Sequence, residues 1–187
     1  MVVRNVFKVV GVIVAAGCVT VPGVRSELRP DFEAVPEQAL RQAALEIEQA
    51  VLDGDENYVP QDREDLVLDT ELIRQEVRTR ALRGERVNEL RNTPWAYEER
   101  SGVLALQRGR DYRNETTRAQ RRQHAALVFR ENDSRWTLYE DIRDANNLDS
   151  SGYDAVRLAF FEARLEVMPP GQQYEGPDGE LQQIGGQ

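Results

Sequence analysis

One polar cluster in this sequence has a spacing that could support chemistry. It reads Glu131-Asn132-x-x-Arg135-x-x-x-Tyr139 and would place a carboxylate, an amide, a guanidinium and a phenol close together on a helix. Asn132 lies among apolar positions, where a buried amide needs hydrogen-bond partners. The cluster is either a structural site or a site for a ligand or partner. We favour the structural role, in which Asn132 bonds backbone groups of the irregular segment 92–110.

Other signatures of catalysis are absent from the sequence. His124 is the only histidine, which excludes a histidine metal cluster, and we interpret it as a surface or partly buried residue. The chain has no Gly-x-Ser-x-Gly motif and no glycine-rich phosphate loop. Its 33 carboxylates lie mostly on helix faces of alternating charge, and no pair of them stands out. The sequence therefore predicts no catalytic residue, no metal site, no cofactor and no enzymatic activity.

The first residues have the features of a secretory signal peptide. Residues 1–8 carry Arg4 and Lys8 and no acid, and 9–16 form an apolar run too short to cross a bilayer. We predict a signal peptide at 1–17, with an uncleaved N-terminal anchor helix as the alternative.

The only cysteine, Cys18, follows that segment directly. Ala15-Ala16-Gly17-Cys18 resembles the lipobox of bacterial lipoproteins, although Ala15 stands where leucine is usual. In that class the thiol is alkylated with diacylglycerol, the chain is cut before the cysteine and the new amine is acylated. We therefore predict that Cys18 is lipidated, which would hold the chain on a membrane. By resemblance to lipoprotein sorting, Val19 in the next position favours the outer membrane, with the domain facing the periplasm.

The charge of the chain argues against nucleic acid as a partner. The formal net charge is −9, and it becomes −11 when the signal peptide removes Arg4 and Lys8, the latter being the only lysine. Such an acidic protein repels nucleic acid. A local basic patch interrupts this pattern, and it is either a solvated surface or a contact for anionic lipid headgroups or an acidic partner. Its members are Arg108, Arg110, Arg113, Arg118, Arg121 and Arg122.

Helical periodicity dominates the rest of the chain, which predicts an all-α domain. We predict about four helices in a small bundle, at 36–53, 70–91, 116–147 and 151–168, with an irregular connecting segment at 95–115. The third helix would bury a stripe formed by Ala125, Phe129, Asn132, Trp136 and Tyr139, beside a second stripe of Leu138, Ile142 and Ala145. In domain terms, 18–35 is a lipidated tether, 36–170 the helical domain and 171–187 a loosely ordered tail.

The order of features along 37–181 resembles the YdbL-like family of bacterial envelope proteins, a domain of unknown function. The most specific part is the block Glu131-Asn132-x-x-Arg135-x-x-Leu138-Tyr139. Weaker features are the run 47–54, the start Leu68-Asp69-Thr70, the arginine-rich second helix, the segment 102–106 and the ending Pro169-Pro170-Gly171 with Asp178-Gly179. The sequence departs from the family in two respects. The ending of that family tends to carry tryptophan, whereas Gln172, Gln173 and Leu181 take those places here. Family members are also often soluble in the periplasm, whereas we predict a lipid anchor for this chain.

The resemblance implies a non-enzymatic helper at the cell envelope. In some members it implies association with large lipid-transfer proteins that bridge the two membranes, and it brings no catalytic residues. We therefore expect a structural or adaptor lipoprotein that binds an envelope protein. A cell-wall hydrolase, or a carrier that holds an apolar ligand between its helices, are the alternatives.

Overall fold

The computed structural model describes Phe32 and residues 35–63 and 65–185. Cys18, the signal peptide at 1–17 and most of the tether lie outside these residues, so the predictions made for them stay predictions. The described chain is mainly helical, as predicted, and the four predicted helices begin and end within two residues of their expected bounds. The elements are α1 (Glu37–Asp53), α2 (Glu71–Arg91), β1 (Ala96–Glu98), β2 (Leu104–Leu106), α3 (Arg110–Glu115), α4 (Arg118–Ala145), α5 (Ser150–Val167), β3 (Gln173–Glu175) and β4 (Leu181–Gln183).

The prediction of an all-α fold is wrong in one respect, because the described residues also form a four-stranded sheet. Its strand order is β2-β1-β3-β4, with β1 and β3 parallel and the two outer pairs antiparallel. The segment 171–187, predicted to be a loosely ordered tail, supplies β3 and β4. Strands of three residues are too short to show a period of two, and the β1–β3 pairing joins segments far apart in sequence.

The chain between α2 and α4 is more regular than the sequence indicates. It contains β1, β2 and the short helix α3, where an irregular segment was predicted at 95–115. The expected extended stretch is present as β2 (Leu104–Leu106). Gly102 makes the tight connection between the two strands with φ 90°, a backbone conformation that glycine adopts without strain.

Helices α1 and α2 cross with their backbones in contact at Gly84. A Cβ atom placed on Gly84 would lie 2.1 Å from the carbonyl oxygen of Val51. Glycine costs about 1 kcal/mol relative to alanine in a helix, so this close crossing explains why the sequence retains it. The crossing brings the C-terminal half of α1 against the middle of α2.

The buried face of α4 differs from the predicted stripe. Phe129 is 70 % exposed, and Ala125 and Trp136 are only partly buried. The second predicted stripe is correct for Leu138 and Ile142. The face turned inward is Val128, Glu131, Ser134, Arg135, Leu138, Tyr139 and Ile142. The helix therefore buries two charged residues, Glu131 and Arg135. The predicted stripe was displaced from this face because an amphipathic pattern assigns charged residues to the solvent side.

Two apolar clusters make up the described core. The larger joins α1 and α5 to the N-terminal half of α2 and the C-terminal half of α4, around Ile47, Leu138 and Phe160. The smaller joins the C-terminal half of α2, β1 and β2 to the middle of α4, around Leu90 and Leu104. Buried polar residues lie along α2 and α4 between the two clusters. No helix in the described residues is long and apolar enough to cross a membrane.

Candidate functional site

Six buried side chains of opposite charge close into a ring at the centre of the fold. Each glutamate accepts hydrogen bonds from two of the arginines, and each arginine donates to two of the glutamates. None of the six is more than 3 % exposed. In order around the ring they are Glu48 (α1), Arg80 (α2), Glu131 and Arg135 (α4), Glu98 (β1) and Arg164 (α5), which returns to Glu48.

Two of the contacts in the ring are bidentate. The terminal nitrogens of Arg80 donate to both carboxylate oxygens of Glu48 at 3.0 and 2.9 Å, and those of Arg135 donate to both oxygens of Glu98 at 2.7 and 3.0 Å. The Nε atoms of the same two arginines share one oxygen of Glu131, at 3.1 and 2.9 Å. Paired N–H···O bonds between ions are the strongest hydrogen bonds that side chains form.

Arg164 closes the ring from α5. It donates to Glu98 at 3.1 Å, to Glu48 at 3.0 Å and to the hydroxyl of Tyr139 at 2.8 Å. Its remaining terminal nitrogen donates to the carbonyl oxygen of Gly102 at 3.0 Å, in the turn between β1 and β2. The guanidinium therefore ties α5 to α1, to α4, to β1 and to the turn that follows β1.

Two further arginines contact the ring from outside. Arg91 donates to Glu98 at 3.4 Å, and Arg83 donates to Glu131 at 3.4 Å. The ring itself has three charges of each sign, so these two residues give the group an excess of positive charge. Burial disfavours the charged form of Arg91 and lowers its pKa.

The environment fixes the charge state of the ring carboxylates. Burial alone would raise the pKa of Glu131, but attraction from Arg80 and Arg135 outweighs it and lowers that pKa to about 2. Burial opposes ionisation of Glu98 as well, yet Arg135 and Arg164 hold its pKa far below the usual range. The pKa of Glu48 is lowered in the same way, against burial, by Arg80 and Arg164. All three glutamates are therefore ionised at neutral pH.

This arrangement is suited to holding structure and poorly suited to catalysis. A general acid or base works best with a pKa near the working pH, and the ring carboxylates are shifted away from that range. Both oxygens of Glu48 and Glu98 already accept from arginines. Among the described residues, no group of three or more histidine, cysteine, aspartate or glutamate side chains could hold a metal ion.

The structure brings three of the four predicted site residues into one network. Glu131 and Arg135 belong to the ring and form the pair that their spacing predicts, and Tyr139 accepts from Arg164. Asn132 is not a member of the ring. Its Oδ1 accepts from the N–H of Leu104 at 2.8 Å, and its Nδ2 donates to the carbonyl of the same residue at 2.9 Å. These are bonds to the backbone of 92–110, as the structural interpretation of the sequence predicts.

Asn132 occupies the place of a neighbouring strand. β2 is an edge strand, and an edge strand has unpaired backbone groups on its outer side. The amide of Asn132 meets both groups of Leu104, whose side chain is buried. The side chain therefore fixes the sheet to α4 and completes the hydrogen bonding of its edge at that residue.

Replacing Asn132 with alanine is expected to lower the free energy of unfolding by about 1–3 kcal/mol, because both backbone groups of Leu104 lose their partner. Asn132→Asp should be intermediate, since a carboxylate accepts from the N–H but cannot donate to the carbonyl. Urea unfolding followed by circular dichroism measures the difference.

Asn146, which directly follows the C-terminal end of α4, offers a matched control. Its amide bonds the N–H and carbonyl of Val67 at 2.7 and 2.9 Å, but Val67 is 41 % exposed and water can replace the amide there. Asn146→Ala should therefore cost less than Asn132→Ala. Equal costs for the two variants, or an unchanged stability for Asn132→Ala, would contradict the structural role of Asn132.

His124 lies on the N-terminal part of α4, partly buried as expected. Its Nδ1 is 3.2 Å from the hydroxyl of Tyr112, and burial lowers the pKa of the imidazole. Tyr112 in turn packs against Trp95, with ring centroids 5.7 Å apart. The histidine thus takes part in the packing of α3 against α4.

The sequence analysis missed six charged residues of the central network: Glu48, Arg80, Arg83, Arg91, Glu98 and Arg164. A signal for some of them exists in the apolar stripes. Arg80 follows Val77 by three positions, and Arg164 follows Phe160 by four, so each stands where an apolar residue is expected. A charged residue at a stripe position is the pattern that a buried ion pair leaves. Glu98 carries no such signal, because its strand is too short.

No protein family, curated protein or solved structure matches this chain.

Proposed function

We propose that this protein is a non-enzymatic adaptor of the bacterial cell envelope, held at a membrane by a lipid on Cys18. The observation that carries the proposal is the position of the polar cluster. Glu131, Arg135 and Tyr139 are engaged inside the fold, and Asn132 is bonded to β2. The polar residues that could have formed a ligand or partner site therefore have structural roles inside the domain. The surface of the domain remains as the place where it would bind a partner.

The exposed apolar residues of the described chain support contact with another molecule. Phe129 is 70 % exposed, Leu82 is 64 % and Leu72 is 61 %. Large apolar side chains in water are individually common, but Leu72 and Leu82 are both strongly exposed on one helix, α2. By the resemblance to the YdbL-like family, the protein partner would belong to a lipid-transfer assembly between the two membranes.

The lipid anchor has a direct test. Mass spectrometry of the mature N-terminus should find an acylated chain that begins at Cys18, and Cys18→Ser should leave an unacylated protein. Fractionation should then move the variant from the membrane to the soluble fraction or leave it unprocessed. A mature chain that begins at another residue would contradict the lipoprotein proposal.

The adaptor role needs a separate test, because an anchored protein could have other functions. Lys8 is the only lysine, so amine-reactive reagents have almost nothing to attack in the domain. A photo-reactive amino acid at the exposed position of Leu72 on α2 avoids this problem. The same label at the buried position of Phe160 is the control. A specific envelope protein crosslinked from the first position and not the second supports the adaptor role; no crosslink, or hydrolysis of cell-wall material by the purified chain, argues against it.

A further inference from the structure

One surface of the described chain carries eight arginines that form no ion pair. They lie on the C-terminal half of α2, on α3 and the turn before it, and on the N-terminal half of α4. No carboxylate lies within 4.0 Å of any of them in the described residues. We call this surface the arginine face; its members are Arg86, Arg108, Arg110, Arg113, Arg118, Arg121, Arg122 and Arg130.

The remaining arginines on the described surface behave differently. Exposed or half-buried arginines elsewhere lie beside carboxylates, as in the pairs Arg74–Asp69, Arg78–Glu56, Arg143–Asp144 and Arg157–Asp154. Arg41 and Arg63 likewise pair with Glu37 and Glu162, and with Glu46. In a protein with 33 acidic residues, unpaired arginines collected on one surface are unexpected from composition alone.

The charge distribution along the chain points the same way. Residues 83–130 contain eleven arginines and six acids, a net charge of +5, whereas the rest of the sequence has a net charge of −14. Four of those acids, Glu85, Glu89, Asp111 and Glu115, lie on the helices of the arginine face and weaken its field without pairing with it. From 116 to 130 there is no acid at all. The charge of the molecule is therefore unevenly distributed, and the arginine face is its basic side.

The arginine face contains two clefts in which cationic and apolar side chains lie side by side. A cleft of about 650 Å³ between α2 and α4 is lined by Arg83, Arg86 and Arg130 together with Leu90 and Leu127. A second cleft of about 290 Å³ is lined by Arg108, Arg113, Arg121, Tyr112 and Ala125. The strongly exposed Phe129 lies between Val128 and Arg130 on the same helix. Cations beside an exposed aromatic ring suit a surface that presents phosphates above an apolar layer.

We infer that the arginine face docks the domain on an anionic membrane surface. Its width favours a membrane over a peptide, because the stretch from Arg118 to Arg130 alone extends about 18 Å along α4 and the face continues onto α2 and α3. The acidic remainder of the domain is repelled by the same surface, so the charge asymmetry also sets the orientation. The proposed function supports this inference, because a lipid on Cys18 would keep the domain close to a membrane. The tether between that lipid and the domain spans at most about 60 Å when fully extended.

Sedimentation with lipid vesicles tests the inference on the full chain. One set of vesicles contains about 30 % phosphatidylglycerol in phosphatidylcholine, and the other contains phosphatidylcholine alone, which measures any charge-independent binding by the apolar N-terminus. We expect binding to the anionic vesicles to be at least about tenfold stronger, and to weaken steeply as salt rises towards about 0.5 M.

Two triple variants with the same change in net charge separate the arginine face from total charge. Arg118, Arg122 and Arg130 replaced by glutamine should reduce binding to anionic vesicles by about tenfold or more. Arg78, Arg143 and Arg157 replaced by glutamine should leave it within about twofold, because these arginines lie outside the arginine face and face carboxylates. Circular dichroism checks that both variants are folded.

Three outcomes would overturn the inference. They are equal binding to both kinds of vesicle, equal losses in the two triple variants, and binding of a polyglutamate peptide to the arginine face without binding to anionic vesicles. The last result would assign the face to an acidic protein instead. The assay does not require acylation of Cys18, so its outcome is independent of the anchor test.

Discussion

Glu98→Gln is expected to lower the free energy of unfolding by about 3–5 kcal/mol, although the two side chains have nearly the same shape. Glu98 is fully buried and accepts from Arg91, Arg135 and Arg164. An uncharged amide leaves these guanidinium groups without their shared counter-ion in a region that water does not reach. The structure must then relax or admit water, and either response costs stability.

A matched control separates this effect from the loss of any glutamate. Glu85 is exposed on α2 and makes no ion pair in the described structure, so Glu85→Gln should change the stability by no more than about 0.5 kcal/mol. Urea unfolding of the two variants and of the natural sequence gives the comparison. If Glu98→Gln unfolds at the same urea concentration as Glu85→Gln, the ring does not have the role assigned to it.

Acid should unfold the protein steeply between about pH 4.5 and pH 2. The pKa values of Glu48, Glu98 and Glu131 are lower in the folded state than the ordinary value of 4.5, and that of Glu131 is about 2. A depressed folded pKa contributes stability that is complete above the unfolded value and is lost as pH falls through the folded value. Each proton taken up on unfolding contributes about 1.4 kcal/mol per pH unit, so three carboxylates together have a large effect.

Chemical unfolding at a series of pH values measures this dependence. The free energy of unfolding should change little from pH 7 to about pH 5 on account of the ring, and then fall. Glu85→Gln should show the same steep fall, whereas Glu98→Gln should show a shallower one, because one of the three linked groups is gone. Stability that rises on acidification, or the same slope in both variants, would contradict the prediction.

The helices could be predicted because their signals are local. Apolar residues recur with the helical period, and the ends are marked by residues with a defined chemistry. Thr70 caps α2 through the N–H of Ile73, Thr117 and Gln120 form a capping box at α4, and Gly54 ends α1 with φ 70°. The sheet has no comparable signal, since its strands of three residues owe their conformation to partners distant in sequence.

The site could be predicted only in part, for a related reason. Glu131 and Arg135 are joined by a spacing of four on one helix, and this local pair was visible. Their other partners, Arg80 and Glu98, lie on a different helix and a strand. A sequence indicates that a charge stands at a buried position, but it does not indicate which distant charge neutralises it. The predicted buried face of α4 was wrong at Glu131 and Arg135 because the helical pattern assigns charged residues to the solvent side. A charge is buried only with a partner, and the sequence does not identify that partner.

The closed ring does not by itself make the fold more stable than an apolar core of the same volume would. Burying ions costs several kcal/mol for each ion, and their attraction often does no more than offset that cost. The effect of the ring lies in the difference between a complete and an incomplete set of partners. We propose that it selects one arrangement of α1, α2, α4, α5 and β1, because another packing of these helices would separate the charges.

The ring also affects how the domain unfolds. Its members come from positions 48, 80, 98, 131, 135 and 164, so the chain must be almost complete before every charge has a partner. If α5 detached alone, Arg164 would leave Glu48 and Glu98 each short of a cation. Partial opening therefore carries nearly the penalty of complete opening. The consequence is cooperativity: helices with modest apolar contacts at their ends should exchange their central amide protons together, in a single global event.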